Sequence, residues 1–131
     1  MSNGSSEAVT QGVRVTVRPR YSPEHSDPRR GEWFFLYQVT IKNEGDEPVK
    51  LVSRHWVITN ANGEVQEVKG PGVVGEQPSL AHGEHFEYTS GCPLTTPFGS
   101  MHGSYQMLRP SGEQFDAEIA AFSLSQPGMV Q

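Results

Sequence analysis

The stretch that decides the fold is residues 33–43, which read Trp33-Phe-Phe-Leu-Tyr-Gln-Val-Thr-Ile-Lys-Asn43. It begins as a continuous apolar run and settles into alternation, with Tyr37, Val39 and Ile41 on one face. A period of two places successive side chains on opposite faces of a β-strand. The apolar run at 34–36 predicts cover on both faces, which is typical of a central strand.

Further strand patterns flank this stretch on both sides. Residues 13–18 alternate and are expected to end at Pro19, and residues 49–60 alternate after a turn. Residues 65–68, 84–90 and 100–108 predict three more strands, with an irregular segment at 91–98. Residues 115–124 fit a strand with a bulge at Ala120-Ala121, although their Ala, Glu and Ile content also permits a helix.

About seven strands with frequent turns predict an all-β, immunoglobulin-like (fibronectin type III-like) β-sandwich of about seven antiparallel strands. The 14 glycines and 10 prolines suit such a turn-rich domain. The cysteine pair of antibody domains is absent from the sequence, so the fibronectin type III-like variant fits better. We expect a flexible segment at 1–12, a single domain at 13–124 and a loose tail at 125–131.

Composition and charge narrow the function classes. The chain has 131 residues and a formal charge of −5, from 10 Lys+Arg against 15 Asp+Glu. Nucleic-acid binding needs a basic face, so it is not expected as the main role. No stretch has the length of a membrane span, and the start lacks a secretory pattern. The single cysteine, Cys92, fits a cytoplasmic location.

Residues 70–75 read Gly-Pro-Gly-Val-Val-Gly, which has the G-x-G-x-x-G spacing of a phosphate-binding loop. That motif requires a helix after the last glycine, and Pro78 and Gly83 leave no room for one. We therefore interpret it as a long loop between two strands, whose glycines permit positive φ. The alternative is an anion-binding nest of consecutive amide groups without a helix.

Metal and enzyme chemistry have little support in the sequence. His82 and His85 are weak candidates for a metal site, because they are three residues apart and lack the usual ligand spacing. Cys92 has no recognisable base beside it, so a nucleophilic role is not expected. We predict neither a cofactor nor an enzymatic activity.

Several stretches that together cover nearly the whole chain resemble the ApaG (CorD) family of small bacterial proteins. They are residues 21–27, 37–43, 55–56, 63, 68–78, 86–90 and 99–107. The resemblance implies a fibronectin type III-like sandwich, no established catalytic residues and a genetic link to cobalt and magnesium tolerance. It also implies an interaction role, since similar domains occur in eukaryotic F-box and polymerase-interacting proteins.

The sequence therefore predicts a cytoplasmic, non-enzymatic module that binds another protein, or a second copy of itself. The expected contact residues are Gly70, Gly72, Val73, Val74 and Gly75, with support from residues 21–27 and 99–103. The alternative function is phosphate or nucleotide binding by the same glycines.

Overall fold

The computed structural model describes residues 4–128, and most of this range is β-strand. Its nine strands are β1 (Ser6–Thr10), β2 (Val13–Tyr21), β3 (Trp33–Asn43), β4 (Val49–Asn60), β5 (Val65–Pro71), β6 (Ser79–Leu80), β7 (His85–Leu94), β8 (Phe98–Leu108) and β9 (Gln114–Ser125). Two single-turn 3-10 helices lie between β2 and β3, at Pro23–His25 and Pro28–Arg30. Within residues 4–128, no helix has the length and apolar character needed to cross a membrane.

The strands form two antiparallel sheets. One sheet has the order β1-β2-β3-β7, and the other has the order β5-β4-β8-β9, with β6 paired to β4. The two sheets pack face to face as a sandwich, so the all-β antiparallel sandwich expected from the sequence is confirmed. The described residues hold nine strands rather than about seven, because β1 and the two-residue β6 add to the strands recognised in the sequence.

The core lies between the inner faces of the two sheets. Alternate residues of β3 are buried, which is the consequence of the two-residue period of a strand. β2, β4, β8 and β9 contribute inward side chains in the same way. The largest fully buried side chains include Tyr105, Phe35, Ile41, Leu51, Met101, Met107, Ile119 and Leu124.

The bulge predicted in the last strand is confirmed. Met101 pairs with Phe122 and Gly103 pairs with Ile119, so two β9 residues stand opposite one β8 residue. The two bulge residues are Ala120 and Ala121. Because of this insertion Ile119 and Phe122 both face the core although they are three positions apart.

Two expected strand bounds were wrong. β2 does not end at Pro19, which pairs with Tyr37; β1 covers β2 only as far as Val17, and a proline is tolerated where a strand has one neighbour. Residues 91–94 are not irregular but continue β7, and a Cβ at Gly91 would lie 2.2 Å from the Phe34 ring, so a larger residue there requires the ring to move.

The N-terminal expectation also needs correction. Residues 6–10, placed in a flexible segment, instead form β1, which pairs with β2 and bonds to β9. The Ser123 amide donates to the Gly4 carbonyl, and the Glu118 amide donates to the Thr10 hydroxyl. Beyond β9, the Gln126 amide oxygen accepts a hydrogen bond from the Trp33 indole. Residues 1–3 and 129–131 of the expected flexible ends lie outside the described range.

Candidate binding cleft

The glycine motif begins in a strand and continues into a loop. Gly70 and Pro71 end β5, and residues 72–78 connect them to β6. Gly72 and Gly75 have φ of +57° and +81°, as expected for a loop that depends on glycine. A Cβ at Gly72 would collide with the Glu76 carbonyl, whereas nothing lies within 4 Å of the corresponding position at Gly75.

The loop amides are largely used within the protein. The Gly72 amide donates to the Val52 carbonyl, and the Val73 and Glu76 amides donate to each other's carbonyls, all at 2.8 Å. An anion-binding nest needs consecutive amides that point at the ligand. The first two amides after Pro71 are therefore committed to the fold.

The two valines of the motif have opposite environments. Val73 is buried at 1 % exposure, while Val74 is 56 % exposed. Val74 also has φ of +42°, a left-handed backbone that β-branched residues rarely adopt. One valine therefore anchors the loop to the core and the next presents an apolar side chain to solvent.

Arg54 is a candidate functional residue that the sequence pattern did not single out. It lies on β4 opposite Gly70, and its Nη1 donates to the Pro71 and Gly72 carbonyls, each at 2.9 Å. The lack of a side chain at Gly70 makes room for it, because a Cβ there would lie 3.1 Å from the guanidinium atoms. The sequence feature that could have indicated Arg54 is its position on the same strand face as Trp56 and Ile58.

Arg54 lies in the middle of a cleft on the open side of the sandwich, between the edge strands β5 and β7. One lobe, of about 360 Å³, is bounded by the glycine loop, and the other, of about 260 Å³, runs along β5. Both lobes share Tyr37, Arg54, Trp56 and Ser90. The first lobe adds Pro71, Val73, Val74, Gly75 and Tyr88, and the second adds Ile58, Gln66, Val68, Gly91, Cys92, Pro93 and Met101.

The tyrosine and cysteine side chains that line the cleft are held in their neutral forms. Burial raises the pKa of Tyr37, although a hydrogen bond with Ser90 and the Arg54 charge act in the opposite direction. Burial likewise raises the pKa of Tyr88, whose hydroxyl is hydrogen-bonded to that of Tyr105. Burial raises the pKa of the Cys92 thiol to about 11. The cleft therefore offers one permanent positive charge among neutral polar and aromatic groups.

The other segments predicted to support the loop have different surroundings. Residues 21–27 bond to the start of β3, where the Ser22 amide donates to the Phe34 carbonyl. Residues 99–103 belong to β8 and pair with β4 residues 56–60 on one side and with β9 on the other. Of this segment, Met101 alone lines the cleft. The hydrogen bonds of residues 70–78 go instead to Leu51, Val52 and Arg54 of β4.

The weak metal candidates His82 and His85 have separate partners. His82 Nδ1 is 2.7 Å from the Gly45 carbonyl oxygen, and His85 Nε2 is 3.5 Å from a Glu87 carboxylate oxygen. Across residues 4–128, no three His, Cys, Asp or Glu side chains come together in a way that could hold a metal ion. Cys92 is a free, buried thiol.

The fold defines a class, the two-sheet antiparallel β-sandwich, and in this chain a cleft lined by Arg54 and aromatic side chains lies at its open side. A family model described as the ApaG domain matches residues 23–109. Protein ApaG of Anaeromyxobacter dehalogenans strain 2CP-C is 57 % identical over 123 residues, which cover 94 % of this chain and 97 % of the relative. The chain belongs to the ApaG family.

Other comparisons agree with this assignment. Protein ApaG of Bradyrhizobium sp. strain BTAi1 is 59 % identical over 120 residues, which cover 92 % of each chain. The crystal structure of a Bordetella pertussis protein described as ApaA has a TM-score of 0.87 and 51 % identity, covering 89 % of this chain and 95 % of that one. The C-terminal domain of Wzt, at 11 % identity and a TM-score of 0.54, shares the fold alone.

Proposed function

We propose that the protein is a non-enzymatic module that binds a protein partner through residues 70–78 and the cleft beside them. The observation that carries this proposal is the presentation of Val74. Its apolar side chain is 56 % exposed, and its backbone is in a left-handed conformation at φ +42°. Such a conformation persists in a β-branched residue only where the surrounding structure imposes it, and such residues cluster at functional sites.

The surroundings of Val74 hold the loop in place. Val73 is buried beneath it, the Val73 and Glu76 backbones bond to each other, and Arg54 binds the carbonyls of Pro71 and Gly72. An apolar group that is already fixed before binding loses little conformational entropy when a partner covers it. This rigidity supports a contact surface for another protein.

The chemistry of the cleft supports binding rather than catalysis. A general acid or base works best with a pKa near the operating pH. Tyr37 and Tyr88 have pKa values raised above the ordinary value of a tyrosine, and that of Cys92 is about 11. None of these three groups exchanges a proton readily at neutral pH.

The proposal extends to the setting of the protein. We place it in the cytoplasm, in keeping with its single cysteine. Any connection to cobalt or magnesium tolerance would run through the bound partner. A second copy of the chain is the first partner to test, and sedimentation velocity at several concentrations measures whether the chain self-associates.

A pull-down with matched variants tests the proposal. The change is Val74→Ser, and the control is Val65→Ser, since Val65 is an equally exposed valine at the other end of β5, at 62 % exposure. We expect the Val74 variant to lose at least about tenfold of the captured partner, because one buried apolar side chain contributes about 1.5–3 kcal/mol. Equal capture by folded wild type and Val74 variant would contradict the proposal. Val73 is unsuitable for this test, because it is part of the core.

The second candidate function is phosphate or nucleotide binding at Gly70, Gly72 and Gly75. The observation that favours it is the Arg54 guanidinium beside these glycines. The internal bonds of the Gly72 and Val73 amides weigh against it. Calorimetric titration with ATP and with diadenosine tetraphosphate is the test. An absence of heat at millimolar ligand removes this candidate.

A further inference from the structure

We infer that the cleft binds an acidic side chain from an extended segment of the partner protein, with Arg54 as the counter-ion of its carboxylate. The inference rests on the proposed function and specifies its ligand chemistry. It follows from the unused donors of Arg54, from the charge of the lining, and from the position of the cleft between two edge strands.

Arg54 retains hydrogen-bonding capacity toward the cleft. Nη1 alone binds the loop carbonyls, whereas Nε and Nη2 donate to no protein acceptor in the described range 4–128. Arg54 also has no ion pair with any Asp or Glu of that range. The planar guanidinium presents its donors as a fork that matches the two oxygens of a carboxylate.

The charge of the residues that line the cleft favours a ligand with one negative charge. Arg54 is the one formally charged residue among those that line the two lobes. Leaving it unpaired in a partly buried site is costly, and a single carboxylate would neutralise it. A pyrophosphate or nucleotide would bring two or more negative charges to one cation, in a chain whose formal charge is already −5. These charges favour a carboxylate over a phosphate chain.

The shape of the cleft suits an extended peptide. It follows β7 from Tyr88 to Pro93, a run of six residues that extends over roughly 17 Å at ~3.3 Å per residue. β5 and β7 are edge strands, each paired on one side only. Edge strands can accept an added strand through their main-chain groups, while pockets select alternate side chains.

The two lobes flank the Arg54 position with apolar surface. The exposed Val74 lies on one side, and the partly buried Ile58 and Val68 lie on the other. An extended segment with one central Asp or Glu between apolar residues therefore matches the cleft. The acidic residue sets the register of the segment, and the apolar residues add buried area.

Selection from a displayed hexapeptide library, with both peptide ends capped, tests the inference. The full-length wild type is compared with Arg54→Gln, Arg54→Lys and the control Arg18→Gln, which removes one exposed charge outside the cleft. We expect enrichment of Asp or Glu at one position, flanked by apolar residues, with wild type and Arg18→Gln. Arg54→Gln should lose the acidic preference, and Arg54→Lys should retain it with at least tenfold weaker binding of the selected peptide.

The outcomes separate this inference from the proposed function. Selection of peptides without an acidic preference, or the same acidic preference with Arg54→Gln, would overturn the inference and leave the proposed protein-binding function standing. Failure of all four folded proteins to select any peptide would overturn the inference, and the pull-down with Val74→Ser decides the proposed function separately. Displacement of the selected peptide by inorganic pyrophosphate at micromolar concentration would overturn the inference, because it would show that the cleft binds a phosphate ligand rather than a carboxylate. Melting curves confirm that each variant is folded.

Discussion

Val74 has a backbone conformation that is unusual for a valine. Its left-handed backbone, at φ +42°, costs a β-branched residue roughly 1–2 kcal/mol. Asparagine tolerates this conformation without the entropic cost of glycine. We therefore expect Val74→Asn to raise the free energy of unfolding by about 1 kcal/mol while weakening partner capture.

Urea unfolding checks this prediction. Val65→Asn is the matched control, because Val65 is similarly exposed but has an ordinary strand conformation. There the change should lower stability slightly, since asparagine is disfavoured in strands. A loss of stability at position 74 equal to that at position 65 would show that the left-handed backbone carries no strain.

We predict that burial of the Cys92 thiol makes the protein less stable in alkaline solution. Burial raises its pKa in the folded protein from 9.0 to about 11, so the unfolded chain releases this proton first. The free energy of unfolding is unaffected by the thiol below pH 9 and falls as the pH rises from 9 to about 11. The slope approaches 1.36 kcal/mol per pH unit for this one group.

Urea titrations between pH 7 and pH 11, on wild type and Cys92→Ala, measure this effect. The variant should lack the thiol's part of the decline and keep the part due to Tyr37, Tyr88 and Tyr105, whose raised pKa values act above pH 10. Superimposable pH profiles of the two proteins would contradict the assignment to Cys92.

At the scale of the element, the two left-handed glycines of the loop have unequal roles. Gly72 has both a positive φ and a close neighbour, the Glu76 carbonyl, whereas Gly75 has open space around it. We expect Gly75→Ala to cost roughly 1 kcal/mol of backbone strain and Gly72→Ala to cost distinctly more. Chemical unfolding measures both, and equal losses would argue against the close packing of Gly72 on Glu76.

The β9 bulge makes a second prediction about an element. Deleting Ala120 would leave one residue between Ile119 and Phe122, so both side chains would still face the core. Deleting the exposed Asp116 would instead turn part of the strand over and remove a side chain such as Phe115 from the core. That change should cost about 3–5 kcal/mol, the cost of truncating a buried phenylalanine.

Thermal melting of the two deletion variants separates these cases. The Ala120 deletion should retain a cooperative transition, and the Asp116 deletion should melt at a much lower temperature or fail to fold. If the Ala120 deletion is the more damaging of the two, the bulge contributes more than register.

At the scale of the whole molecule, the two sides of the sandwich where the edges of its sheets meet differ. On one side β1 pairs with β2 and also bonds to β9 through Gly4 and Thr10. On the other side, the gap between β5 and β7 holds the cleft and Arg54. Closing one side stabilises the sandwich, and leaving the other open provides the proposed binding surface.

Removal of residues 1–10 should therefore be costly. It uncovers the edge of β2, whose inward residues Val13, Val15 and Val17 have no exposure in the intact protein. We expect a loss of several kcal/mol in the free energy of unfolding and greater aggregation at the freed edge. Urea unfolding and light scattering measure these effects. An unchanged midpoint would mean that β1 is dispensable.

The sequence predicted the strands most accurately where a long alternating pattern was present. The bounds expected for residues 33–43 and 49–60 are those of β3 and β4, and the bulge at Ala120-Ala121 was also foreseen. The sequence patterns failed where a neighbouring strand decides the structure: β1 depends on β2 and β9, and Gly91 belongs to a strand because it pairs with Leu36 of β3. The predicted contact residues 70–75 stay a prediction.

The sequence by itself determined the class of fold and the family, because two-residue alternation, turns and short motifs are local properties of the chain. The tertiary structure alone decided where the proposed binding cleft lies. The pairing of β4 with β5 sets Arg54 opposite Gly70, and the packing of the two sheets leaves that guanidinium in an open cleft. Neither relation is encoded within one segment, since each depends on residues brought together from separate strands.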